Sequence, residues 1–123
     1  MQVQINSSGG LKVTAEDRAA VVAVLNQRLG RFDEFLRRIE VHLHPLDPNG
    51  HTGREVDCGL EARFSGKRPL KVHHADRNVE QAVARATRKM LTQLDRRFAR
   101  KYTVSSKGHV RNAGGSEPVR PGA

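Results

Sequence analysis

The sequence predicts an α+β fold in the order β-α-β-β-β-α, a four-stranded sheet with two helices packed on one face. Three observations predict it. Two segments have apolar residues at helical spacing, residues 15–32 and 79–102. Four shorter segments alternate apolar and polar residues, as half-buried strands do. Hydrophobic residues make up 37% of 123 residues, enough for one thin core and one domain.

The first strand is residues 1–6, with Val3 and Ile5 alternating with Gln2, Gln4 and Asn6. A Ser-Ser-Gly-Gly loop follows. Thr14 then supplies an N-cap oxygen, and Asp17 stands three residues on, where it can return the hydrogen bond. The first helix is expected over 15–32, with Val22, Leu25, Leu29 and Phe32 as its buried stripe. Gly30 weakens its end.

The second strand is expected over 37–44, with Ile39, Val41 and Leu43 on one side and Glu40, His42 and His44 on the other. Residues 45–53, rich in Pro, Gly and Asn, form a loop. The third strand, 56–64, sets Val56, Cys58, Leu60, Ala62 and Phe64 against Asp57, Gly59, Glu61 and Arg63. A turn at 65–69 leads to a fourth strand at 70–74. Asn78 and Gln81 mark the start of the second helix. Its expected stripe is Val79, Val83, Ala86, Met90, Leu94 and Phe98. The expected domain is thus residues 1–102. Residues 103–123 are polar, aperiodic and basic, and are expected to be a disordered tail. The first two strands and the helix between them make a parallel crossover, expected to be right-handed. The last three strands make an antiparallel meander.

The net charge of +9, from 22 Lys and Arg against 13 Asp and Glu, asks for a polyanionic partner. The cations are clustered. Arg85, Arg88, Lys89, Arg96, Arg97, Arg100 and Lys101 lie on the second helix, with Asp95 the one acid among them. Residues 85, 89, 96 and 100 fall along one helical ridge, a match for the closely spaced charges of a phosphate backbone. Arg28, Arg31, Arg37 and Arg38 form a second cluster, and Lys67, Arg68 and Lys71 a third. All fourteen are candidate RNA-binding residues. Aromatic residues are 4% of the chain and there is no Trp, so stacking of splayed bases is not expected. Backbone and shape recognition of structured RNA is the better reading.

No catalytic constellation is found, and no enzyme is expected. Asp47, Asp57 and Glu61 form no acid–base motif, and no phosphate-binding glycine loop is present. Cys58, the single cysteine, stands at an apolar alternating position and reads as a buried thiol. His42, His44 and His73 raise the question of zinc. Strand three should hold His73 about 10 Å from the other two, too far for ligands that must converge at about 2 Å. No metal, cofactor or small-molecule substrate is expected. No signal peptide or membrane span is read, and a soluble cytoplasmic protein is expected.

Three stretches carry a family resemblance: Met1-Gln2-Val3-Gln4-Ile5, Leu29-Gly30-Arg31-Phe32-Asp33-Glu34-Phe35-Leu36-Arg37-Arg38-Ile39, and the helix 78–94 with the basic residues after it. Over residues 1–102 the chain resembles the ribosome hibernation-promoting factor and ribosome-associated inhibitor family. Lys89, Gln93 and Leu94 match that family's helix pattern, and Arg96, Arg97, Arg100 and Lys101 its basic end. Glu80 stands where the family often has an aromatic, and Ala84 where it has an acid. The resemblance implies a fold related to double-stranded RNA-binding domains. It implies a translation repressor on the small ribosomal subunit, in the channel that takes messenger and transfer RNA. The polar tail implies a short, monomeric form without the family's second, dimerising domain. The alternative is a general structured-RNA-binding protein that acts off the ribosome.

Overall fold

A computed structural model of the chain describes residues 1–46 and 55–105, with side chains described up to residue 98. Two compact units divide the chain, Met1–Gln93 and Leu94–Ala123. The first holds the sheet, the first helix and most of the second.

The elements run β1 (Gln2–Ser7), α1 (Ala15–Leu29), a 3₁₀ turn (Gly30–Phe32), β2 (Leu36–Pro45), β3 (Val56–Phe64), β4 (Leu70–Asp76) and α2 (Val79–Ser105). The expected order and the α+β class are found. The sheet order is β1-β2-β3-β4. β1 runs parallel to β2, and the other two pairings are antiparallel.

The Thr14 hydroxyl accepts from the Asp17 amide at 3.0 Å, and the Asp17 carboxylate accepts from the Thr14 amide at 3.1 Å. Two of the first turn's free N–H groups are thereby satisfied at either side of the cap. α1 buries Val21, Leu25 and Leu29. Val21 is buried in place of the expected Val22; both spacings fit one helix face, and packing selects the first. The α-helix also stops at Leu29, before the expected residue 32. Gly30 has weak helix propensity, and the backbone tightens there into the 3₁₀ turn that buries Phe32.

The covered face of the sheet carries Ile39, Val41, Leu43, Cys58, Leu60 and Ala62, all at most 1% exposed. α2 contributes Ala82, Val83, Ala86, Thr87 and Met90 within the first unit. Thr87 is the buried polar residue among them. Its hydroxyl donates to the Val83 carbonyl at 2.7 Å, so it brings no unsatisfied group into the core. In the second unit Leu94 and Phe98 are buried, as their helical spacing predicts. α2 continues to Ser105, three residues past the expected end; no Gly or Pro interrupts residues 102–105. The rest of the expected tail, residues 106–123, lies outside the described residues.

Gly9 holds φ at +67° in the loop after β1. A Cβ there would stand 2.8 Å from Pro45 Cδ, so both backbone and neighbour require glycine. Gly66, φ +73°, turns the chain between β3 and β4.

Candidate nucleic-acid interface

The open face of the sheet is built in rows by the strand register. Gln2, Arg38 and Arg63 form one row; Gln4, Glu40, Glu61 and Lys71 the next; Asn6, His42, Gly59 and His73 a third; His44, Asp57 and Ala75 a fourth. Alternation places all of them opposite the core. Their charges interlock. Glu40 accepts from Arg38 at 2.7 Å and from Arg63 at 3.0 Å, and Arg63 also reaches Glu61 at 2.6 Å. Burial at the sheet surface pushes the Glu40 carboxyl up. The two guanidiniums outweigh it and hold the group below the usual carboxylate range.

The second predicted basic cluster is split by these pairings. Arg28 is exposed in the last turn of α1. Arg31 stacks over the Phe32 ring at 4.7 Å, a cation–π contact that fixes its guanidinium. Arg37 is exposed, and Arg38 is engaged by Glu40. Of the third cluster, Lys67 and Arg68 are exposed in the β3–β4 turn, and Lys71 is exposed on β4 opposite Glu61.

α2 presents Arg85, Arg88 and Lys89 in the first unit. Arg85 donates to Asp76 at 3.0 Å, and Lys89 donates to the His73 carbonyl at 3.0 Å. Both side chains therefore lean onto β4. The Arg77 amide, donating at 2.8 Å, is the main cause that holds the Asp76 carboxyl low, with Arg85 and His74 adding to it. Arg88 is exposed and has no ion pair among the described residues. In the second unit Arg96 is exposed and Arg97 half-buried. The side chains of Arg100 and Lys101 lie outside the described residues.

The sequence reading missed Arg63, a cation at the centre of the open-face pairs. Its signal was the β3 alternation, which sets it opposite Ala62 and Phe64. The partner that matters, Arg38, follows only from the register.

Each open-face histidine meets a carboxylate: His42 and Glu40 at 3.5 Å, His44 and Asp57 at 3.3 Å, His73 and Asp57 at 3.6 Å. Strand three separates His73 from His42, as expected, with Gly59 between them. Among the described residues, the three donors of a possible metal group that come within 4.8 Å of one another are Glu40, His42 and Glu61. Arginines already hold both carboxylates, and a cation would have to displace them. Cys58 is fully buried, and burial pushes its thiol up to about 12, with Asp57 adding to the effect. Such a thiol is neutral and inert near pH 7. A cleft of about 250 Å³ beside the first turns of both helices is rimmed by Glu16, Asp17 and Glu80, the wrong sign for a polyanion.

The fold and this surface define a class: a small α+β domain with one face covered by helices, the other open and polar, and exposed cations at its strand ends and on α2. Solved structures share its fold. The N-terminal domain of Thermus thermophilus Protein Y aligns with a TM-score of 0.63 at 22% identity, over 78% of this chain and 98% of that one. A ribosomal subunit interface protein from Coxiella burnetii aligns with a TM-score of 0.64 at 15% identity, over 80% of this chain and 99% of that one. Both match the hibernation-factor family that the sequence resembles, and at these identities the likeness is one of fold. No protein-family model matches the sequence, and no curated protein sequence does. No described helix is long and apolar enough to cross a membrane.

Proposed function

We propose that this protein is a ribosome-associated translation repressor of the hibernation-factor kind, a cytoplasmic, monomeric binding protein without catalytic activity. It binds ribosomal RNA of the small subunit through its exposed cations and blocks the path of messenger and transfer RNA. Residues 1–102 form the binding domain. One observation carries the reading: nearly the whole of two ribosome-associated folds, 98% and 99% of their lengths, aligns with a chain of net charge +9. The scarcity of aromatic residues supports recognition of RNA backbone and shape over base stacking.

The test is co-sedimentation of the purified protein with small subunits, large subunits and whole ribosomes over a salt series, with a translation assay beside it. Saturable one-to-one binding to the small subunit, weakening linearly with the logarithm of salt, together with inhibition, is the expected result. Equal affinity for arbitrary RNA hairpins, with no preference for the subunit, would replace this reading with that of a general structured-RNA binder.

A further inference from the structure

A small polar cleft of about 180 Å³ lies at one end of the open face, lined by Gln2, Arg37, Arg38, Arg63 and Phe64. Three neighbouring strands supply it. Arg38 stands between Gln2 of β1 and Arg63 of β3 in the register. Arg37 joins them through a bulge: Leu36 pairs with Phe64 and Arg38 with Arg63, so Arg37 is the extra residue on β2. Burial confirms it. Leu36 and Ile39 are both buried, three positions apart where strict alternation would need two, and both arginines between them are left on the open side.

The hydrogen-bond inventory of these groups is uneven. Arg38 Nε is buried and has no hydrogen-bond partner among the described residues, although the same guanidinium meets Glu40 at 2.7 Å. Arg37 has no ion pair among the described residues. Arg63 gives Nε to Glu40 and one terminal nitrogen to Glu61, which leaves the other terminal nitrogen. The two carboxylates thus fix two guanidinium planes from one side, and unspent donors remain. Three guanidiniums against two carboxylates leave one positive charge in excess. That excess, a planar array of N–H donors and the size of the cleft fit one tetrahedral oxyanion.

We propose that this cleft is a phosphate-binding pocket, in which Arg37, Arg38 and Arg63 grip a single phosphate group. Arg63 is thereby a ligand-binding residue outside the three basic clusters. The phosphate belongs either to a nucleic-acid backbone or to a free small molecule, and the test separates the two. The pocket stands without the ribosomal reading, because phosphate binding is read directly.

The test follows the side-chain Nε–Hε signals of Arg38 and Arg63 by heteronuclear NMR. One titration uses inorganic phosphate, a second a short RNA duplex, and a third sodium chloride at matched ionic strength. Arg63→Gln and Arg37→Gln are measured alongside, with the backbone amide spectrum as the check on folding; Arg37 has no ion pair to lose. A saturable shift of Arg38 Nε–Hε, weakened about tenfold in either variant as one charge-assisted hydrogen bond is lost, is expected. Saturation by phosphate and RNA alike marks a pocket for free phosphates; saturation by RNA alone marks a backbone clamp. The proposal is overturned if neither ligand moves the signal, if chloride moves it equally, or if folded R37Q and R63Q both bind as the wild type does. Loss of co-sedimentation with a retained phosphate response would sink the ribosomal reading and leave the pocket in place.

Discussion

The open face of the sheet and the outer face of α2 within residues 79–93 both carry cations, but they hold them differently. On the sheet, Arg38 and Arg63 are matched by Glu40 and Glu61 in a lattice set by the strand register. On α2, Arg85 and Lys89 are drawn to β4 by one carboxylate and one carbonyl, while Arg88 has no ion pair. Formal charge is therefore a poor guide to charge available for a partner. A cation inside a register-fixed lattice has spent part of its donor capacity. A cation on a helix face has spent little, and an incoming phosphate can replace what holds it.

The contrast between the covered and open sides of one strand can be tested with adjacent residues, and this is where the largest effect is expected. Leu43→Ala should lower the unfolding free energy by about 2–5 kcal/mol, because Leu43 is almost wholly buried. His44→Gln, one residue on and exposed to the other side, should stay within about 0.5 kcal/mol. Urea titration with a common slope measures both. Equal losses would mean that the open face is not open.

The next effect is alkaline. Cys58 in the folded protein titrates at about 12, against an ordinary value of 9.0. Above pH 9 the unfolded chain has released a proton that the folded chain keeps. The stability slope is then negative, and about 1.4 kcal/mol should be lost per pH unit between 9 and 12. Cys58→Ala should flatten that limb of the stability curve, and the native thiol should resist a disulfide reagent at pH 8 until urea exposes it.

A smaller effect sharpens the comparison of lattice and helix. Glu40→Gln removes the negative charge that Arg38 and Arg63 share, so RNA affinity should rise several-fold and its salt dependence steepen by about one unit. The same variant should lose part of the stability decline below pH 4.5. Glu40 is held low in the fold, so its contribution is present above the ordinary carboxyl value and is lost as pH falls. The smallest change belongs to Arg88→Gln. It should leave stability unaltered and reduce the salt slope by somewhat under one, as loss of a single phosphate contact requires.

The element order was legible because each strand and helix has a clean period. Val56 to Phe64 alternates without exception, and α2 keeps Val83, Ala86, Met90 and Leu94 on one line. What stayed hidden depends on how strands are set against each other. The bulge at Arg37 has no local signature, since two adjacent arginines read as ordinary alternating strand residues and only the pairing with β3 shows the shift. Arg63 could be placed on the open side from its own strand, but not beside Arg38. The exchange of Val22 for Val21 is of the same kind. Both are valines, and only packing against the sheet selects one. The ridge of cations expected on α2 was half legible. The sequence places Arg85 and Lys89 on the helix, but their donation to Asp76 and the His73 carbonyl requires β4 alongside.

The position of β1 has a consequence for the order in which the chain can complete itself. Of the four strands of this sheet β1 is synthesised before the others, and its one neighbour in the sheet is β2. Val3 cannot find Ile39 until the whole of α1 has been made. The β2–β3–β4 meander, by contrast, joins segments that follow one another. Its pairings close shorter loops and can form before the distant parallel one. β1 is thus the last strand of its sheet to be satisfied, and until then Val3 and Ile5 stand as an unpaired apolar strand that a growing chain must keep from other edges.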